Sequence, residues 1–259
     1  MKAKFILSFI AALFMQFTTV SADNYTDGIT KLIENEAIAT VNAKMFDQFS
    51  KLPDVNGDYL KTQFKTDIVE WLSDSYRKNM NEKDFNDMIS FFMQPEVLGV
   101  QKKMIACASD MEAVQQTLMP QIQTLAMGGT PEDLKMPDCD PQLKKEFLRW
   151  LEINGTSEGL KASMNTVQDL VVDMAPANVP EEQKAMMKKT VERLSSFMEK
   201  NMGAMLLTTM VGKVDLKEIQ TLNAIENKPF FASYKKVNLA LANDMKPFMS
   251  KIMEGIKKK

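Results

Sequence analysis

The sequence predicts an all-α protein made of two tandem helical-bundle units. Apolar residues recur three and four positions apart through most of the 259 residues, and no sustained alternation typical of strands competes with that helical period. A faint self-similarity at an offset of 134 residues, between 81–114 and 215–248, predicts that one helical unit occurs twice. Seven residues are identical at this offset, with Pro95 and Pro229 among them.

Residues 1–22 have the composition of a secretory signal peptide. Lys2 and Lys4 precede an apolar stretch at residues 5–17, and small residues at the cleavage position end in Ala22. An apolar stretch of about 13 residues is shorter than the ~20 that a membrane-spanning helix needs. We therefore expect cleavage after Ala22, a periplasmic or secreted location, and no transmembrane helix in the mature chain. An uncleaved anchor is the alternative.

The charge and the missing residue types exclude several functions. Removing Lys2 and Lys4 changes 32 basic and 34 acidic residues to 30 and 34, a net charge near −4. Because nucleic-acid affinity rests largely on phosphate neutralisation, we expect no nucleic-acid binding. The chain has no histidine, so imidazole-based triads and histidine zinc sites are excluded. With no Gly-rich phosphate loop, GxSxG or CxxC motif, the sequence indicates no catalytic, cofactor-binding or metal-binding residue.

The first unit is predicted at residues 23–118. Asn81 begins a capping sequence that ends in Asp84 and starts a helix. Pro95 follows about 14 residues after Asn81, where a ring without a backbone donor ends one helix and can open the next. The unit is therefore predicted to contain a helix, a proline corner and a second helix.

Residues 119–141 are predicted to be a linker, because they contain the highest density of helix breakers in the mature chain. These breakers are Pro120, Gly128, Gly129, Pro131, Pro137 and Pro141. Thr130, followed by proline, can begin one short helix within the segment.

The second unit is predicted at residues 142–259. Asp215 and Glu218 form a capping-box sequence, and Pro229 lies at the equivalent corner. Two apolar stripes predict further helices upstream. Their residues are Leu160, Met164, Val167, Val171 and Met174, then Met187, Val191, Leu194, Met198, Met202 and Met205.

Segments of both units resemble the domain-of-unknown-function 2059 family. In the first unit the similar segment is NMNEKDFNDMISFFMQP, residues 79–95, followed by Gly99, Lys102 and Lys103. The similar residues of the second unit are Asp215, Glu218, Ile219, Leu222, Pro229, Tyr234 and Lys235, preceded by FLRWLEINGTSEGLK from Phe147. The similarity covers roughly two thirds of the mature chain. It implies a small helical domain exported by bacteria, here in two tandem copies, for which no activity is established.

Aromatic and methionine side chains near the two corners are candidates for a groove between the units. They are Phe85, Phe91, Phe92, Met93, Phe230, Phe231 and Tyr234. Such a groove would bind a partner helix or an apolar ligand through spaced anchors. The alternative is complete burial of these side chains in one fused core.

Cys107 and Cys139 are candidates for a disulfide, because an exported chain can retain one. The bond would close a loop of about 30 residues and stabilise the fold by ~3 to 4 kcal/mol in the chain-entropy model. The alternative is that Cys107 is a small buried apolar residue.

Two patterns resemble metal sites. Met245, Met249 and Met253 share one helical face and could bind copper, although core packing is the favoured explanation. The segment 54–58 begins like a calcium loop, but Tyr59 replaces the required glycine, so a turn is favoured.

Eight lysines between Lys228 and Lys259 form a basic C-terminal segment. It could make weak contact with anionic lipid headgroups, or the lysines could simply favour helix C-termini and remain solvated.

Together these patterns predict a non-catalytic binding or interaction module of the bacterial cell envelope. Its partner would be an unidentified envelope protein or an apolar ligand. One alternative is a histidine-free hydrolase or lyase that uses Glu and Lys, and another is a methionine-based metal-handling protein. Clustered carboxylates with perturbed pKa values would favour the enzyme.

Overall fold

The computed structural model describes residues 24–33, 56–108, 120, 121, 123–125, 127–155, 159, 161, 162 and 179–256. Every regular element within these ranges is helical, which confirms the predicted all-α class. Within the same ranges, no helix combines the length and apolar character needed to span a membrane. The signal peptide at 1–22 and most of the helix predicted at 160–174 lie outside the described residues.

The described helices are numbered in chain order. The first half contains α1 (Asn24–Ile33), α2 (Gly57–Thr62), α3 (Phe64–Asn79), α4 (Glu82–Phe92) and α5 (Pro95–Ala108). The second half contains α6 (Pro141–Ile153), α7 (Glu181–Met210), α8 (Leu216–Asn223), a 3₁₀ turn (Ala224–Asn227), α9 (Phe231–Asn243) and α10 (Met245–Ile256).

The predicted helix starts and corners are present. The Asn81 side chain accepts a hydrogen bond from the Asp84 amide at 2.9 Å and begins α4. Asp215 and Glu218 form a complete capping box at α8, with both hydrogen bonds 2.9 Å long. Both segments therefore have the predicted order of helix, corner and helix.

The two halves share one hydrophobic core. α3 packs against α1, α2, α9 and α10, whereas α5 packs against α7 and α8. α9 from the second half thus covers α3 of the first half, and α5 of the first half covers α7 of the second. Helices from the predicted units at 23–118 and 142–259 therefore interlock around one core.

Two polar contacts between the halves mirror each other. Lys103 of α5 forms an ion pair with Glu218 of α8, and the Ser233 hydroxyl of α9 donates to Asp84 of α4 at 2.6 Å. Asp84 and Glu218 are both the third residue of their helix and lie 134 positions apart. The second helix of each half therefore contacts the start of the first helix of the other half.

Residues 127–140, here called the strap, form the C-terminal part of the predicted linker. Its backbone is non-helical from Gly129 onward, so the short helix predicted to begin at Thr130 is absent. The strap lies along α7 because Asn201 accepts a hydrogen bond from the Leu134 amide at 2.7 Å. Lys200 also pairs with Asp133 at 2.6 Å.

Gly203 lets the strap and α6 approach α7 closely. A Cβ atom at this position would lie 2.9 Å from Leu148 and 3.3 Å from Met136, which is tighter than van der Waals contact allows. Because Gly203 has no side chain, α6, α7 and the strap can come into contact at this position.

Candidate functional site

The corner aromatics do not line an open groove. Five of the seven candidate side chains are buried, namely Phe85, Phe91, Phe92, Phe230 and Tyr234. Phe231 is partly buried, and Met93 is 39 % exposed. These five side chains are therefore buried as the alternative of a fused core predicted, and the candidate groove loses them.

These aromatics instead join the two halves. The rings of Phe91 and Phe230 have centroids 6.2 Å apart, and those of Phe92 and Tyr234 are 5.9 Å apart. The Tyr234 hydroxyl donates to the Asn154 side chain at 2.9 Å, which satisfies its polar end inside the core. Each ring is covered by the other half of the chain. This burial removes a large apolar area from water, which stabilises the contact between the halves.

Both cysteines are free, so the predicted disulfide is not formed. Cys107 is buried and packs in the core with the apolar side chains of α5, as the alternative predicted. Cys139 is partly buried at the end of the strap.

The two metal-like patterns show ordinary structural roles where they are described. Met245 and Met249 are buried in the core, while the Met253 side chain lies outside the described set. Asn56 caps α2 by accepting a hydrogen bond from the Tyr59 amide at 3.2 Å. The described residues contain no group of three or more Cys, Asp or Glu side chains that could hold a metal ion.

Several of the C-terminal lysines contact the protein itself. Lys228 lies over the Phe91 ring at 5.3 Å, and Lys235 lies over the Phe231 ring at 5.8 Å. Lysines 257–259, which end the predicted membrane-contact segment, lie outside the described residues. Contact with lipid headgroups therefore stays a prediction.

One cluster of ionisable side chains joins α2, α3 and α10. The buried Asp67 carboxylate accepts a hydrogen bond from the Tyr59 hydroxyl at 2.6 Å and another from the Gln63 side-chain amide at 3.3 Å. Lys251 of α10 completes the set, with its ammonium 2.8 Å from the same carboxylate. Three donors therefore converge on one acid, from α2, from the residue between α2 and α3, and from α10.

The electrostatics of this cluster indicate a structural clamp. Burial acts to raise the pKa of Asp67, but hydrogen bonds from Lys251, Tyr59 and Gln63 and the Lys251 charge outweigh it and lower the pKa. Burial and the Asp67 carboxylate raise the pKa of Tyr59, and Asp67 raises the pKa of Lys251. Each group is thereby held in its ordinary charge state at neutral pH. General acid–base catalysis needs a pKa moved toward neutrality, so this cluster does not have the property that would favour an enzyme.

The sequence contains a signal for this cluster that periodicity alone passes over. Asp67 falls on the apolar face of α3, between Phe64 and Trp71 at helical spacing. A carboxylate among apolar positions predicts a buried ion pair, because an unpaired charge there would be too costly. Its partner, Lys251, is too distant in the chain to be identified from spacing.

The N-terminal part of α7 is an exposed helical segment with two exposed methionines. The structure describes all residues of the segment 181–193, and none of them is buried. The buried residues of α7 begin at Leu194. These residues amount to about 20 Å of helix. Met186 is 68 % exposed and Met187 is 37 % exposed.

Charged side chains surround these two methionines. Lys184 pairs with Glu181 at 2.6 Å within the helix. Glu182 and Lys189 have no ion-pair partner among the residues that the structure describes. We call Glu182, Met186, Met187 and Lys189 the α7 surface.

Comparison with protein-family models, curated proteins and solved structures found no match. The resemblance to the domain-of-unknown-function 2059 family therefore stays a prediction.

Proposed function

We propose that this chain is a non-catalytic binding or interaction module of the bacterial cell envelope and that it binds its partner through the α7 surface. Export after removal of residues 1–22 is part of this proposal. The observation that supports it is the exposure of Met186 and Met187 on a helical segment in which no residue is buried.

The chemistry of the α7 surface suits binding. Methionine side chains are flexible and polarisable, so they adapt to partners of different shape. A helix presents such residues at fixed spacing, which is how amphipathic helices are recognised. The charges of Glu182 and Lys189, which pair with no residue in the described part of the chain, can then add orientation and specificity.

The alternatives receive less support. The Asp67 cluster, which joins three helices, has its carboxylate and its lysine paired with each other. Met245 and Met249 lie in the core among apolar side chains. An interaction module therefore fits the described surface better than a hydrolase, a lyase or a metal-handling protein.

We also propose that the fold is a tandem duplication. Three observations support it, namely equivalent helix starts at Asn81 and Asp215, mirrored contacts at Asp84 and Glu218, and matching burial at the same offset. The matching buried pairs are Phe85 with Ile219, Met88 with Leu222, Phe91 with Ile225, Val100 with Tyr234 and Cys107 with Leu241.

Site-specific photo-crosslinking in cells tests the proposed function. A photoreactive amino acid at position 186 should capture a protein in envelope fractions. The same residue at position 239 is the control, because Leu239 is 56 % exposed on a different helix, α9. Equal capture at both positions, or capture at neither, would contradict the proposed binding surface.

A further inference from the structure

We propose that the α7 surface binds a second copy of this chain, with the two α7 helices antiparallel about a two-fold axis near Met186 and Met187. This inference rests on the proposed function and names a partner for the same surface.

The geometry of the helix defines the contact face. Successive residues are about 100° apart around an α-helix, so Met186 and Met187 flank a strip that also contains Gln183 and Thr190. None of these four residues is buried. In an antiparallel pair centred here, Met186 of one copy lies against Met186 of the other, and Met187 lies against Met187. The apolar centre of the face is therefore complementary to itself.

The charges at the edge of this face are also self-complementary. Glu182 and Lys189 are seven residues apart, so they lie on the same side of the helix, two turns from one another. A two-fold axis perpendicular to the paired helices places this edge against its own copy in the opposite direction. Glu182 of one copy then faces Lys189 of the other, and the same pair occurs twice.

A second copy fits this surface better than an anionic membrane. Helices that lie on membranes have Trp, Phe or Leu on the apolar face and an excess of basic residues on the polar face. The segment 181–193 has methionines in place of those residues, and its basic residues Lys184, Lys188, Lys189 and Arg193 are largely balanced by Glu181, Glu182 and Glu192. Anionic lipids would repel these three glutamates, whereas an antiparallel copy can pair Glu182 with a lysine.

The size of the surface sets the strength of the dimer. Two helical segments of about 20 Å bury less than the ~1,200 Å² that is typical of stable interfaces. We therefore expect a weak dimer that depends on concentration and dissociates as salt screens the edge charges.

Sedimentation velocity of the purified chain over a wide concentration range tests the inference. The expected result is a monomer–dimer equilibrium. Met186→Ser together with Met187→Ser should abolish it, because the apolar centre is lost. Leu239→Ser is the control and should leave the equilibrium unchanged, since Leu239 is exposed on another helix.

Charge reversal distinguishes this antiparallel dimer from any other. Glu182→Lys alone and Lys189→Glu alone should each weaken the dimer by about tenfold, because each places like charges opposite one another twice. The chain with both reversals should regain the original dissociation constant, since each lysine again faces a glutamate.

The outcomes separate the two proposals. A monomer at every concentration that still crosslinks another envelope protein from position 186 would overturn self-association and leave the proposed function in place. A dimer that is unaffected by the methionine and charge variants would overturn the assigned surface. A monomer that crosslinks nothing from position 186 would overturn both.

Discussion

At the scale of single residues, Asp67 stands out as the buried acidic residue of the described part of the chain. It accepts hydrogen bonds from Tyr59 and Gln63 and pairs with Lys251 of the C-terminal helix. A buried carboxylate is tolerated only when donors replace the water that it loses. These contacts therefore hold α10 against α2 and α3.

Asp67→Asn should destabilise the protein by about 2–3 kcal/mol, because it removes a charged acceptor from a buried site and leaves its donors with a weaker partner. Urea unfolding followed by circular dichroism measures the change. Asp133→Asn is the matched control, because the Asp133–Lys200 pair is exposed and should contribute much less. Equal losses in the two variants would contradict the clamp.

The same carboxylate predicts a loss of stability in acid. Its folded-state pKa lies below the ordinary value, so its contribution is present above the unfolded-state pKa of about 3.9 and is lost as the pH falls through the lower folded-state pKa. Unfolding free energies measured from about pH 7 down to pH 2 should show a steeper acid loss in the unsubstituted chain than in Asp67→Asn. Identical pH profiles would exclude this role for Asp67.

Close packing at Gly255 leads to a second stability prediction at the residue scale. A Cβ atom at Gly255 would lie 2.3 Å from the Tyr59 ring, and that ring is tied to Asp67. Gly255→Ala should therefore cost about 1–3 kcal/mol through overpacking. Gly99→Ala, with no atom within 4 Å of the added carbon, should instead stabilise α5 by about 0.5–1 kcal/mol. Thermal melts of both variants would show shifts of opposite sign, and a shared sign would contradict this packing.

At the scale of elements, the proline- and glycine-rich segment does more than link the two halves, because its strap packs against α7. Its breakers prevent a helix, as the sequence predicts, but its backbone and side chains bind α7. Asn201 is well placed for this because its amide group donates to the Phe197 carbonyl of its own helix, which orients its oxygen toward the Leu134 amide. The Asn201 side chain thus supplies the hydrogen-bond acceptor that a neighbouring strand would supply in a β-sheet.

Asn201→Ala should release the strap, because the Leu134 amide loses its acceptor at a cost of about 1–3 kcal/mol. Limited trypsin digestion, followed by mass spectrometry, should show faster cleavage after the exposed Lys135 in this variant. Lys200→Ala serves as the control, since it removes only an exposed pair. Unchanged cleavage in Asn201→Ala would show that other contacts hold the strap.

At the scale of the whole molecule, the interlocked halves share one core, so neither half has a complete core of its own. α3 of the first half packs against α9 of the second half, and α7 of the second half packs against α5 of the first. Helices that bury their apolar faces only against the other half should unfold together with it.

Unfolding should therefore be a single cooperative transition. The chain has two tryptophans, Trp71 in the first half and Trp150 in the second. Trp71→Phe and Trp150→Phe each leave one reporter, and in each variant the fluorescence midpoint in urea should coincide with the circular dichroism midpoint. Separate midpoints for the two reporters would show that the halves unfold independently.

The features that the sequence predicts correctly depend on short stretches of chain. The caps at Asn81 and Asp215 and the proline corners are determined within about four residues, because a cap bonds to the amide three positions later. The helical class follows from a period that every segment repeats. The sequence could not show that five of the groove candidates are buried, because aromatic residues near a corner are recognisably apolar but their pattern does not show which surface covers them.

By itself, the sequence determines the all-α class, the positions where α4 and α8 begin, and the corners that follow them, because local hydrogen bonding and the fixed proline ring act over a few residues. Only the tertiary structure decides that the halves interlock, that Phe91 and Phe230 become core, and that Met186 and Met187 stay exposed. These outcomes depend on contacts such as that between Ser233 and Asp84, which are 149 positions apart. No local pattern specifies such a pair, since the free energy of burial depends on which distant surface arrives to exclude water.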